Sequence, residues 1–268
     1  MDVLTERSSR VVSYGKLHRA AARREQQRFL VEGANAVGAA LETGHALVVL
    51  VGETDAARHR DIVDAAAARG IEVVALTERA VAKLADATTP PGIFAVCSPL
   101  DADLAAVLDC RPRLLAVAVE PREPGNLGTI IRCADAMGAG GVVVLGDAVD
   151  PHNGKCVRAS AGSVFHLPIA RDRDIGHGLS ALRDAGMALL AATADGETPI
   201  GGSGDGPDDD FLAAPTAWLF GNEAHGLPAE VAAAADRRVS IPIRGRAESL
   251  NLATAAAICL YESAKAQG

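Results

Sequence analysis

Three short polar stretches in the C-terminal half of the chain hold the residues that could do chemistry. The first runs Glu120-Pro121-Arg122-Glu123-Pro124-Gly125-Asn126-Leu127-Gly128-Thr129-Ile130-Ile131-Arg132. Gly128 and Arg132 are four apart and share one face of a helix. A glycine early in a helix costs about 1 kcal/mol relative to alanine. It also clears space beside the guanidinium, an arrangement that suits a phosphate or a carboxylate. Arg132 lies between Ile131 and Cys133, so it is expected to be half-buried. A salt bridge to a neighbouring helix accounts for the arginine equally well, and Asn126 equally suits a helix N-cap. The second stretch, Gly221-Asn222-Glu223-Ala224-His225-Gly226-Leu227-Pro228, encloses three polar side chains between two turn-forming glycines. The third, Glu248-Ser249-Leu250-Asn251, opens an alanine-rich helical run over residues 252–266. Its serine and asparagine can cap that helix, with Ser249 the expected cap, or present a hydroxyl and an amide to a ligand.

Each stretch needs a strand to hold it. Apolar runs at 114–119, 142–145, 188–193, 216–220 and 239–243 predict strands, with helices between them, among them 127–137 and one starting at Pro228. Their nearly continuous apolar character is that of strands covered on both faces, as in a parallel sheet built from right-handed βαβ crossovers. Ligands bind such sheets beyond the carboxyl ends of the strands, so the three loops are expected to converge on one crevice. The Gly/Asp-rich segment 195–210 predicts a flexible surface loop. A second α/β alternation precedes all this. It has a basic amphipathic helix over 14–28, strands at 29–32, 46–51, 71–76 and 93–97, and helices at 34–43, 56–69 and 78–87. Residues 99–112 are the expected joint, giving domains of 1–103 and 104–268.

Hydrophobic residues make up 49% of the 268 residues but aromatics only 3%, so alanine, valine and leucine must fill the core. A net charge of −8 argues against a nonspecific nucleic-acid coat protein. The charge is uneven: residues 1–30 hold seven basic side chains (Arg7, Arg10, Lys16, Arg19, Arg23, Arg24, Arg28) against three acids. A local basic patch of that kind can hold a phosphate backbone, or be a solvated helical face. Five cysteines form no C-x-x-C pair and no Cys/His metal spacing, which predicts reduced thiols, no metal and a cytoplasmic location. A charged N-terminal stretch without an apolar core predicts no secretory leader, and no apolar run approaches the roughly 18–20 residues of a membrane span. No G-x-G-x-x-G follows the first strand, which argues against a nucleotide-dependent oxidoreductase.

Asn126-x-Gly128-x-x-x-Arg132, Gly221-Asn222-Glu223-x-x-Gly226 and Ser249-Leu250-Asn251 resemble, in order, the three motifs of the SpoU (TrmH-like) RNA ribose 2′-O-methyltransferases of the SPOUT class. Phe29-Leu30-Val31-Glu32-Gly33 and the α/β segment around it resemble the L30e-like substrate-binding domain of many members. Arg158-Ala159-Ser160-Ala161-Gly162-Ser163 is similar to a loop usual in the family, and Ala224 stands where many members have glycine. The resemblance spans nearly the whole chain. It implies S-adenosylmethionine as methyl donor and an RNA ribose 2′-hydroxyl as acceptor, with 23S ribosomal RNA the expected target and transfer RNA the rival. It also implies a C-terminal trefoil knot and a homodimer. By position, Gly221, Ile241, Leu250 and Thr193 are the cofactor candidates, and Arg132, Asn126, Glu223, Ser249 and Asn251 the reaction-site candidates. Arg23, Arg24, Arg28 and Glu32 are the RNA-contact candidates. A noncatalytic RNA-binding or ribosome-assembly factor on the same fold is the competing class, and the complete polar set argues against it.

Overall fold

Helix and strand alternate along the first hundred residues to close a five-stranded sheet. In the computed structural model, which describes residues 3–201 and 210–268, this part comprises β1 (Val3–Leu4), α1 (Ser9–Gly15), α2 (Ala20–Gln26), β2 (Phe29–Glu32), α3 (Ala34–Glu42), β3 (Ala46–Gly52), α4 (Arg60–Ala68), β4 (Glu72–Leu76), α5 (Glu78–Leu84) and β5 (Ile93–Cys97). The strand order is β1-β4-β3-β5-β2. β4 runs parallel to β3, whereas β5 is antiparallel to both β3 and β2. Tyr14, Leu17, Leu50, Phe94 and Val96 lie together in its core. The single basic helix expected over 14–28 is broken. α1 ends at Gly15, a 3-10 turn covers Lys16–His18, and Arg19 is extended at φ −95° and ψ 132° before α2 begins. The break turns Leu17 inward, where it is fully buried.

The following elements are β6 (Asp101–Ala102), α6 (Leu104–Asp109), β7 (Leu114–Val119), α7 (Pro124–Ala136), β8 (Val142–Leu145), α8 (Gly154–Ser160), β9 (Ile169–Asp172), α9 (Ile175–Asp184), β10 (Ala188–Ala192), β11 (Thr198–Pro199), β12 (Thr216–Phe220), α10 (Ala229–Ala234), β13 (Arg237–Ser240) and α11 (Leu252–Gln267). Among the described residues thirteen strands thus make two sheets, the second ordered β11-β13-β10-β12-β7-β8-β9-β6. Every pairing in that second sheet is parallel. All six residues of β7 and all five of β12 are buried, as the unbroken apolar runs require. α11 packs on α7 and against β7 and β12. Within the expected loop 195–210, Thr198–Pro199 adds an edge strand beside β13. Residues 202–209 of that prediction lie outside the described residues.

The chain divides into two compact units. One is the described chain up to Leu100 with Asp150–His166; the other is Asp101–Val149 with Leu167–Gly268. The division at Leu100 falls inside the joint expected at 99–112. Residues 150–166, expected in the second domain, belong to the first unit. Aromatic contacts hold them there: the Phe29 ring lies 4.8 Å from that of His152 and 6.0 Å from that of Phe165. Among the described residues no helix is long and apolar enough to cross a membrane.

Candidate active site

The parallel sheet brings the carboxyl ends of β7, β10, β12 and β13 to one edge, and each polar stretch leaves from there. At the end of β7, Glu120 takes a left-handed conformation (φ 50°) that is unusual for a side-chain-bearing residue. Its N–H still pairs with the Leu145 carbonyl, and its own carbonyl accepts a 3.0 Å hydrogen bond from Asn222 Nδ2. Glu123 then caps α7 by accepting from the Gly125 N–H, and Pro124 fills the first helical position. The expected cap at Asn126 is therefore taken by Glu123. Asn126 sits in the first turn with its amide free to face the other loops.

After β12 the chain makes a tight turn closed by reciprocal backbone bonds between Asn222 and Gly226 (2.8 and 2.9 Å). A Cβ at Gly221 would stand 2.2 Å from the Gly226 carbonyl carbon, so only glycine lets the turn close. The turn aims Glu223 at the start of α7. Its carboxylate accepts from the Arg122 N–H (3.0 Å), the Glu123 N–H (3.1 Å) and Asn126 Nδ2 (3.1 Å). Burial works against ionising Glu223, but these donors outweigh it, and the carboxyl titrates below the usual glutamate range. Asn126 Oδ1 in turn accepts from Asn251 Nδ2 at 3.1 Å. Asn251 is the N-cap of α11, its Oδ1 accepting from Ala253 N–H (2.9 Å) and Thr254 N–H (3.3 Å). The cap expected at Ser249 thus falls two residues later. One hydrogen-bonded chain, Glu223–Asn126–Asn251, joins all three stretches and fixes the orientation of both amides.

Beside this chain lies a cleft of about 300 Å³. Thr193, Gly221, Ile241 and Leu250, the four cofactor candidates, all line it, together with Glu223 and Ser249. Ala192 and Leu252, outside the expected set, add apolar wall; their signal in the sequence is adjacency to Thr193 and Asn251. Apolar flanks with a few hydroxyl, carboxylate and backbone groups suit a flat heteroaromatic ligand bearing polar ends. Arg132 stands apart. It is exposed rather than half-buried, it does not line the cleft, and it has no hydrogen-bond or ion-pair partner among the described residues.

The four RNA-contact candidates separate in the first unit. Arg24 and Arg28 are exposed and make no ion pair among the described residues. Arg23 departs from the expected exposed position: only 6% of its side chain is exposed, and its guanidinium is spent on Asp150 (2.6 Å) and on the carbonyls of Leu17 and His18. The helical periodicity of α2 turns it inward, beyond the reach of a phosphate. Glu32 is likewise buried, accepting from the Asp86 N–H and from Arg158.

Residues 113–261 match the SpoU rRNA Methylase family, and residues 9–95 match the MRM3-like substrate binding domain. The chain belongs to the SpoU rRNA methylase family. It is 32% identical over 95% of its length to the 23S rRNA (guanosine(2553)-2′-O)-methyltransferase of Bacillus subtilis, covering 96% of that protein. Among solved structures it resembles an AdoMet-bound rRNA methyltransferase from Sinorhizobium meliloti, with a TM-score of 0.81, 30% identity and 98% of each chain covered. It also resembles the SpoU methyltransferase AviRb from Streptomyces viridochromogenes in complex with AdoMet, with a TM-score of 0.82 and 31% identity. That match covers 96% of this chain and 98% of the other. The family match spans β7 through most of α11, and so contains all three polar stretches of the cleft edge.

Proposed function

We propose that the protein transfers the methyl group of S-adenosylmethionine to a ribose 2′-hydroxyl of 23S ribosomal RNA. The observation that carries this reading is the Glu223–Asn126–Asn251 chain beside a cleft lined by the cofactor candidates. The Bacillus relative's name supports the choice of RNA. Gly221, Ile241, Leu250 and Thr193 hold the cofactor through apolar and backbone contacts, and Ser249 adds a hydroxyl to that wall. The cofactor supplies a methyl group already activated as a sulfonium, so the protein's task is positioning.

The acceptor hydroxyl must lose a proton. Glu223 is poorly suited to take it, because three donors occupy its carboxylate and hold its pKa down. Glu223 instead braces the three loops. Arg132 offers a planar cationic fork of N–H donors and no acceptor. It anchors on an RNA phosphate and stabilises the alkoxide charge that develops, while the proton passes to solvent or phosphate. No metal is invoked.

The first unit engages RNA, and the second performs the transfer. Support for a homodimer comes from the exposed Arg132 and from the exposed apolar side chains Tyr261 and Ile243, 53% and 38% accessible. The trefoil knot is part of the same proposal, supported by the packing of α11 on α7 and on the central strands. A cytoplasmic location follows from a ribosomal RNA substrate and accords with five free cysteines.

The test is a map of ribose methylation across ribosomal and transfer RNA in cells with and without the gene. One 23S ribose should lose its methyl group. Loss at a transfer RNA site would move the substrate, and no loss with no cofactor binding by calorimetry would favour the noncatalytic factor.

Two further outcomes are expected. Asn126→Asp sets a second carboxylate about 3 Å from Glu223, where two like charges cannot both ionise comfortably. It should lower the methylation rate by roughly 100-fold with helix content by circular dichroism unchanged. Replacing Arg24 and Arg28 with glutamine should flatten the salt dependence of RNA affinity. Each lost phosphate contact removes roughly 0.7–0.9 from the slope of log affinity against log salt. An unchanged slope returns both arginines to a solvated face.

A further inference from the structure

The first unit holds a cavity of about 400 Å³ walled by Glu32, Asn35, Thr89, Pro91, Arg158 and Ala161. It opens where β2 passes into α3 through Gly33, at φ 101°. Glu32 is the unusual member. Its side chain is 7% exposed, and the two bonds it accepts, from Asp86 N–H at 3.2 Å and Arg158 Nη1 at 3.4 Å, both fall on Oε2. Its Oε1 is buried without a hydrogen-bond partner among the described residues. Arg158 lies closer to Asp86, at 2.7 Å, so Glu32 receives only a share of that cation. A buried oxygen left without a donor is costly, and a small side-chain shift toward the cavity that Glu32 lines would give it one. Asn35, on the same wall, is exposed and makes no hydrogen bond among the described residues.

We propose that this cavity receives one nucleobase splayed out of the RNA, and that Glu32 Oε1 accepts a hydrogen bond from its exocyclic amino group. The proposal rests on the RNA-substrate reading above. RNA is read chiefly at unstacked bases, which stack on planar groups and bond along their edges. The Arg158 guanidinium offers such a plane, Asn35 an amide able to donate or accept, and glutamate is a suitable acceptor for the cytosine amino group. At the position of that amino group uracil carries a carbonyl, which would set oxygen against oxygen at Glu32, and its N3–H donor lies one position further along the edge. The cavity therefore selects an amino-bearing base over uracil.

Titrating the full-length, ¹⁵N-labelled protein with cytidine and uridine 5′-monophosphates tests this, since the phosphate and ribose are common to both. Amide signals of Gly33, Asn35 and Ala161 should move, with cytidine monophosphate binding at least about fivefold more tightly. Glu32→Gln, whose amide can donate as readily as accept, should bring that ratio close to one while leaving the melting temperature near the wild-type value. Glu32→Ala should do the same to the ratio, whatever it does to stability. The proposal fails if neither nucleotide moves these amides. It also fails if the ratio survives both substitutions, which would leave Glu32 as a clasp for Arg158 alone. Calorimetry with S-adenosylmethionine on the same protein separates the two readings: cofactor binding without nucleotide binding overturns the base pocket and leaves the methyltransferase assignment intact.

Discussion

Arg132→Ala should lower the single-turnover rate of ribose methylation on a verified RNA by about 100- to 1000-fold, the scale on which one charge-stabilising donor acts. Affinity for S-adenosylmethionine should be unchanged, because Arg132 does not line the cleft. The size of the effect follows from how little else in the site can meet a developing negative charge. Asn126 and Asn251 spend their amides on each other and on neighbouring groups, and Glu223 is itself a carboxylate. The guanidinium, by contrast, is exposed and unpaired among the described residues, so it is available to an RNA phosphate. Arg132→Lys keeps the charge but not the planar fork, and its rate should fall between wild type and alanine. A near-normal rate for Arg132→Ala would falsify the role.

Much of this site was legible because strand-end loops declare themselves locally. Gly221, Gly226 and Pro228 punctuate the chain after an unbroken apolar run, and such punctuation has few structural readings. What escaped was decided by partners far away in sequence. Serine and asparagine both suit a helix cap, and local pattern cannot choose between Ser249 and Asn251. The choice is made by a bond from Asn251 to a residue 125 positions earlier. Arg23 resembled its exposed neighbours Arg24 and Arg28, and only Asp150, 127 residues on, reveals that it is buried. That bond, together with the contacts of Phe29 with His152 and Phe165, ties residues 150–166 into the first unit, against the expected domain boundary. Helical breaks were also hidden. Gly15 interrupts a run that otherwise keeps its basic, amphipathic character, and the reason, burial of Leu17, is tertiary.

Asp150→Ala should be the most destabilising single change in the first unit. The carboxylate faces Arg23 through Oδ2 and His152 through Oδ1, taking Arg23 Nε at 2.9 Å and Nη2 at 2.6 Å, and the His152 N–H and Nδ1 at 3.0 Å each. Removing it strands a guanidinium that is 6% exposed, and breaking a buried pair in this way costs about 3–5 kcal/mol. For a chain of this size that is a fall of roughly 6–20 °C in melting temperature. Asp150→Asn keeps one acceptor and should lose less. Burial opposes ionisation of Asp150, but His152 and Arg23 more than compensate and hold its carboxyl well below the usual range. A depressed folded-state pKa gives stability that is complete above the unfolded value, 3.8, and is lost as pH falls from there toward the folded value. Thermal melts of wild type and Asp150→Ala should therefore differ most near neutral pH and converge as the pH drops below about 4. Arg23→Ala combined with Asp150→Ala should cost clearly less than the sum of the two single changes, since each removes the same interaction. Additive losses, or a gap between the melts that is constant with pH, would mean that the two side chains are not energetically coupled.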